Sequence, residues 1–192
     1  MNRSFQSEKG SRVLPLALVT IVVLSGALFL YRSWQPGAER DAARETSPAP
    51  AIGPRGSSTV PPFSLMDVNG NVYSSTLFAG KPTVINFFAT WCPPCREEIP
   101  GFVEVYKRHK EQGFELIGIS LDTETRENLP GFLATHRIDY RILLGDLDTA
   151  RVFGGVTSIP TTFFVGKDGR IMNVLMGYIG KEEFDREVRK LL

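Results

Sequence analysis

The sequence predicts an α/β domain, a central mixed sheet covered by helices on both faces, carried behind one N-terminal membrane helix. Three observations predict it. From Phe63 onward, strand-like apolar runs alternate with helical patterns, the arrangement that builds strands joined by crossover helices. Near the end, two apolar runs flank Lys167-Asp168-Gly169, which adds a hairpin. Far upstream, residues 13–31 form a run of 19 residues without a charge.

The first twelve residues are short and polar and are expected to be a cytoplasmic tail. As a helix, residues 13–31 would be about 28 Å long, close to the hydrocarbon thickness of a bilayer. A buried core helix would show a polar face, and this run shows none. A cleavable signal peptide is the stronger rival, with Gly37-Ala38 as a weak cleavage site, but its apolar region is usually about 7–15 residues. The run therefore reads as an uncleaved signal-anchor. No cysteine follows it that could carry a lipid. Lys and Arg number three before the run and three within the 13 residues after it, so the positive-inside count does not decide orientation. The short tail, with little to translocate, places the N-terminus inside. The remainder then lies outside the inner membrane, in the periplasmic or extracytoplasmic space. Residues 32–62, rich in Pro, Ala, Gly, Ser and charge from Gln35 on, have nothing to form a core and read as a flexible linker.

The domain itself spans 63–192. Phe63 to Tyr73 reads as two short strands around Asn69-Gly70, and residues 77–82 as a turn. Thr83 to Ala89 is nearly continuously apolar, suited to a strand buried on both faces. Pro93 to Gln112 is helical, with Ile99, Phe102, Val103 and Tyr106 on one face and Gly113 as its stop. Phe114 to Leu121 is a second buried strand. Asp122-Thr123 is expected to cap a helix reaching about Arg137, broken or kinked at Pro130. A short strand at Tyr140–Leu144 and a short helix at Leu147–Gly154 follow. The hairpin strands are Thr161–Val165 and Arg170–Met176. A last helix, Lys181–Leu192, puts Phe184, Val188 and Leu191 on one face.

Composition excludes several functions. A net charge of +1 gives no push toward nucleic acid. Two cysteines cannot make a disulfide framework. His109 and His136, isolated in sequence, complete no zinc set with them. Arg96 follows Cys95, so the haem-attachment pattern C-x-x-C-H is absent. No cofactor and no metal is expected beyond the cysteine pair itself.

That pair, Trp91-Cys92-Pro93-Pro94-Cys95, closes a strand and opens a helix, the setting in which C-x-x-C reads as a redox dithiol. As a staple it would achieve little: the four-residue loop it closes is worth ~2 kcal/mol, against nearly 5 for a loop of about 100 residues. As a redox centre, Cys92 takes the helix-cap position, where partial positive charge and free N–H groups favour thiolate. Pro93 and Pro94 carry no N–H, which leaves chiefly the Cys95 N–H as donor. Only a moderate lowering of the Cys92 pKa is expected, as suits a reductant. Cys95 shares the buried face of the helix with Ile99 and should be the shielded, resolving thiol. Glu98, three residues on, sits at the edge of that face. It is either a solvated first-turn acid or a partly desolvated carboxyl able to exchange a proton with Cys95.

Phe63-Ser64-Leu65 with Asn69-Gly70, the stretch Val84–Pro100 around the dithiol, Gly118–Asp122 and Ile159–Phe163 together resemble the thioredoxin superfamily, and more narrowly the TlpA/ResA-like membrane-anchored thiol-disulfide oxidoreductases. The resemblance spans 63–192. It implies a thioredoxin fold with an N-terminal β-hairpin and an inserted helix and strand at 123–146. It implies Cys92 as attacking thiolate, Cys95 as resolving thiol and Glu98 as the motif carboxylate. It further implies a cis Pro160 beside the disulfide and a substrate-binding surface made by Trp91, Ile159 and Pro160. Thioredoxin itself has a buried Asp where this chain has Asn86, which favours Glu98 as the proton partner. Such proteins typically reduce protein disulfides outside the cytoplasmic membrane, apocytochrome c C-x-x-C-H pairs among them, with electrons from a membrane thiol-disulfide transporter. Two rival readings stand beside this. One is a disulfide oxidase or isomerase. The other is a non-catalytic module binding a partner or copper beside Pro160, although no nearby His or Met supports copper.

Overall fold

Thr83–Phe88, the centre of the sheet, has all six residues buried. In the computed structural model, which describes residues 58–192, this strand (β3) pairs in parallel with β4, Glu115–Ser120, and antiparallel with β6, Thr161–Val165. The remaining sheet strands are β5, Arg141–Leu144, and β7, Ile171–Met176, in the order β5-β4-β3-β6-β7. The first three in that order are parallel and the last two antiparallel to their neighbours. This is the mixed sheet the alternation predicts.

Strand alternation divides the core. Val84 and Phe88 face helix α1, Pro93–His109, and helix α4, Lys181–Arg189, where Ile99, Phe102, Phe184 and Val188 are fully buried. The Phe102 and Phe184 rings stack with centroids 3.8 Å apart. Ile85 and Phe87 face the opposite side and pack with Phe153 and Phe163, where Phe153 follows the short helix α3, Leu147–Val152. Asn86 belongs to the α1 side by the same period of two. A polar residue in the middle of β3 is thus turned toward the helix that carries the dithiol.

The hairpin β1–β2 (Ser64–Met66 and Val72–Ser74) is antiparallel. Its turn is built by Asp67, whose carboxylate accepts from the Asn69 and Asn71 backbone N–H groups, with Gly70 at φ 84° as such turns require. Phe63, Leu65 and Tyr73 pack against the second core cluster. Helix α1 ends where the sequence places its stop: a short 3₁₀ turn at Lys110–Gln112 runs into Gly113, left-handed at φ 82°. Pro100 lies inside α1, so the Arg96 carbonyl has no N–H four residues on to accept from.

One segment departs from expectation. Asp122 caps no helix. A 3₁₀ turn at Arg126–Asn128 leads into α2, which is only Leu129–Thr135. Pro130 lies in the first turn of α2 rather than at a kink, because the fixed φ of proline and its missing N–H are harmless there. The helix stops before Arg137, whose φ is 54°.

The described chain enters at the end of the sheet remote from the dithiol. Ile171 N–H donates to the Ser58 carbonyl and Val60 N–H to the Gly169 carbonyl. Ile171 pairs with Val165, and Val165 with Thr83 at the start of β3, whereas Cys92 follows the other end of that strand. Among the described residues no helix is long and apolar enough to cross a membrane. The anchor expected at 13–31, the tail before it and most of the linker lie outside the described residues.

Candidate active site

Strand β3 ends at Phe88, and the loop Ala89–Trp91 delivers Cys92 as the N-cap of α1. Cys92 N–H donates to the Ala89 carbonyl. Cys92 and Cys95 form a disulfide with Cα atoms 5.3 Å apart. Cys95 has no solvent exposure and Cys92 retains 3%, so only Cys92 keeps an edge to the surface. The Cys95 N–H points at Cys92 Sγ, 3.4 Å away, the donor that two prolines at the first two helical positions leave in place.

The bond between Ile159 and Pro160 is cis. The Ile159 carbonyl oxygen lies 3.8 Å from Cys92 Sγ, so half-buried Ile159 and buried Pro160 sit beside the disulfide. Trp91, the residue before Cys92, is 61% exposed. The sequence did not single out the segment after β7, which reaches Pro160: Gly177 N–H donates to the Pro160 carbonyl at 2.8 Å, and Met176 and Tyr178 beside it are exposed. The register of Met176 opposite Thr161, next to the cis proline, is the signal that a strand-pairing argument could have used.

Glu98 is 2% exposed. Its Oε1 accepts from Asn86 Nδ2 at 2.9 Å, and its Oε2 from the Ile179 backbone N–H at 3.2 Å. Burial raises its pKa and these two bonds only partly offset that, leaving it at about 8. Of the two roles open to it, the solvated acid is removed. Asn86 and Glu98 are direct partners, so the carboxyl occupies the space beside the position where thioredoxin carries its own acid. Asn86 Nδ2 also donates to Thr162 Oγ1 at 3.0 Å, tying α1 to the strand that follows Pro160.

A second carboxylate emerges that the sequence reading placed wrongly. Asp122 is completely buried. Its Oδ2 accepts from the Thr90 N–H at 2.9 Å and from Ser120 Oγ at 2.8 Å. Its Oδ1 accepts from Thr90 Oγ1 and Thr125 Oγ1, both at 2.6 Å. Burial pushes its pKa up, but the bonds from Thr125, Thr90 and Ser120 outweigh this and hold it below the ordinary value. Asp122 fixes the loop two residues before Cys92. The spaced hydroxyls of Ser120 and Thr125 around it were the available signal.

His109, isolated in sequence, is buried against Asp185, with Nε2 2.8 Å from its carboxylate, and ties α1 to α4 away from the dithiol.

A parallel and antiparallel sheet of this order, with a helix-capping C-x-x-C beside a cis proline, defines a thioredoxin-like thiol-disulfide oxidoreductase. Comparison with known proteins agrees. Residues 57–174 match the AhpC/TSA family. The thiol-disulfide oxidoreductase ResA of Geobacillus thermodenitrificans is 30% identical over 134 residues, covering 70% of this chain and 76% of the relative. A crystal structure of a thioredoxin-family thiol:disulfide interchange protein from Chlorobium tepidum superposes with a TM-score of 0.65 at 36% identity, covering 72% of this chain and 98% of that one. StoA from Bacillus subtilis shares the fold, with a TM-score of 0.58 at 23% identity, over 68% of this chain and 98% of its own. The chain belongs to the AhpC/TSA family and, within the thioredoxin superfamily, to the ResA-like thiol-disulfide oxidoreductases.

Proposed function

We propose that this oxidoreductase works as a reductase of protein disulfides, tethered outside the cytoplasmic membrane by residues 13–31. The observation that carries the direction is the single N–H, that of Cys95, aimed at Cys92 Sγ. A cap sulfur with one backbone donor is a weaker thiolate site than one with two, so the reduced form gains less from ionisation and gives up its electrons more readily.

The cycle is as follows. The Cys92 thiolate attacks a client disulfide, forming the Cys92–client bond and releasing one client thiolate, which takes a proton from water. In the fraction of molecules in which Glu98 is ionised, a minority at neutral pH for a pKa of about 8, Cys95 passes its thiol proton to that carboxylate, and the resulting thiolate attacks Cys92 Sγ. The second client sulfur leaves, and two electrons have passed to the client. The enzyme is left as the Cys92–Cys95 disulfide with Glu98 protonated, which a carboxyl with a pKa of about 8 sustains at neutral pH. A carboxyl pKa so close to that of a thiol makes the transfer nearly balanced in either direction. Trp91, Ile159 and Pro160 would hold the client strand.

The client class that the family resemblance implies is an apocytochrome c C-x-x-C-H pair, and the electron donor a membrane thiol-disulfide transporter. The described chain enters at the Ser58 end of the sheet, opposite the dithiol.

The test is a redox equilibrium with glutathione together with client trapping by Cys95→Ala. A reductase should equilibrate well below the potential of about −120 mV typical of a strong oxidant, and the trap should recover proteins carrying C-x-x-C-H. A potential near that of a strong oxidant would overturn the direction. Recovery of many unrelated proteins would overturn the specialist client.

A further inference from the structure

Asn86 is 1% exposed in the middle of β3. Its Nδ2 spends both protons, one on Glu98 Oε1 and one on Thr162 Oγ1. Its Oδ1 is buried with no hydrogen-bond partner among the described residues. Burying an amide oxygen without a donor is costly, and a core apolar residue in its place would avoid that cost. The two bonds from Nδ2 alone set the orientation of the amide.

The two ends of a carboxamide have nearly the same shape and opposite hydrogen-bond character. In the observed orientation Nδ2 donates to Glu98, which suits a carboxylate. A carboxylic acid keeps a carbonyl oxygen that can accept as well, so the same bond serves Glu98 with or without its proton. Turned over, the amide would bury both Nδ2 protons where Oδ1 now has no partner among the described residues, so the observed orientation holds in both states.

We propose that Asn86 is a positioning residue for disulfide exchange: anchored on Thr162 by one Nδ2 proton, it donates the other to Glu98 and holds that carboxyl in place as it gains or loses its proton. This rests on the reading of Glu98 as proton partner of Cys95. No proton passes through Asn86. It keeps the carboxyl in place through both charge states, so the group that takes the Cys95 proton does not have to move to hold it. An aspartate at this position would bring a second acid against Glu98 and share its proton; a neutral amide leaves the proton on Glu98 alone. The other groups facing Glu98 are Cys95, one turn earlier on α1, the Ile179 N–H from the segment before α4, and the Tyr140 phenol beside β5. Burial chiefly, and then the nearby Glu98 charge, raise the pKa of that phenol, so it stays neutral while Glu98 titrates.

The test uses the oxidised full chain in detergent, with side-chain amide and carboxyl resonances followed by NMR as pH is raised. The Asn86 amide and the Glu98 carboxyl should change together at one midpoint. Asn86→Leu should move that midpoint upward by about one unit, because the carboxylate loses a donor. It should slow Cys95 resolution of a preformed mixed disulfide about tenfold at neutral pH, and it should have no such effect in a Glu98→Gln background. If Glu98 titrates while the Asn86 amide stays unchanged, the proposal fails and the role of Glu98 stands. If Glu98 does not titrate, or if Glu98→Gln resolves at the normal rate, both fail. Should Asn86→Leu not fold, the wild-type titration decides alone.

Discussion

Glu98 and Asp122 are both buried carboxyls, one three residues after Cys95 and the other bonded two residues before Cys92. Their acidities move in opposite directions. Burial opposes the charge of each. Asp122 accepts four hydrogen bonds, from three hydroxyls and one backbone N–H, and stays charged with its pKa below the ordinary value. Glu98 accepts two and has a pKa raised to about 8. The difference is one of donor count set against desolvation. It separates a carboxylate that holds a loop from a carboxyl that keeps its proton near neutral pH.

Asp122→Ala is the severest way to test that division. It leaves the Thr90 N–H and three hydroxyls without their shared acceptor, and should cost about 3–5 kcal/mol, measurable by urea unfolding of the oxidised protein. That is a large share of the stability of a typical domain. A loss below about 1 kcal/mol would mean that water replaces the carboxylate and that Asp122 is not the clamp.

Stability against pH separates the two acids by sign. The folded pKa of Glu98 lies above its ordinary 4.5. Between the two values the unfolded chain has lost a proton that the folded one keeps, so stability falls as pH rises from about 5 to about 8, by roughly 3 kcal/mol. Asp122 does the reverse: its contribution is present above the ordinary 3.8 and is lost as pH falls through its lowered folded value. Glu98→Gln should therefore flatten the alkaline limb of the stability profile and leave the acid limb unchanged. An alkaline limb that persists in Glu98→Gln would assign it to another group.

Much of this site was legible in sequence because its signals are local. A C-x-x-C at a strand-to-helix junction fixes Cys92 as cap and Cys95 in the first turn, and a spacing of three carries Glu98 to the same helical face. The buried strands were legible as apolar runs, and the Gly113 stop as a glycine at the end of a periodic pattern. What failed is long-range. An Asp followed by Thr after a strand looks the same whether it caps a helix or reaches across to Thr90, and only the fold decides. The Ile179 N–H that holds Glu98 is a backbone group that every residue but proline possesses. The cis state of Ile159–Pro160 is unmarked in the dipeptide itself and came only through family resemblance, which packing beside the disulfide bears out.

Donor counting extends to a third group, the Cys92 sulfur, and there it can be sharpened by a smaller change. An N-cap side chain accepts from the N–H two or three positions into the helix. The third position is Cys95, and its N–H is used. The second is Pro94, which has none. Pro94→Ala supplies the missing donor without touching either carboxyl, and alanine is at home in a helical first turn. Two donors on the sulfur should stabilise the thiolate more than one, lowering the Cys92 pKa by about 0.5–1 unit and making the couple more oxidising by a few tens of millivolts. Thiolate absorbance in the ultraviolet across a pH titration, and equilibrium with glutathione, measure the two. A Pro93→Ala variant is the control, because the first helical N–H points away from the cap and should move neither quantity. Equal shifts in both variants would mean that proline stiffness rather than the missing donor sets the acidity of Cys92, and the rule that distinguishes Asp122 from Glu98 would not extend to the sulfur between them.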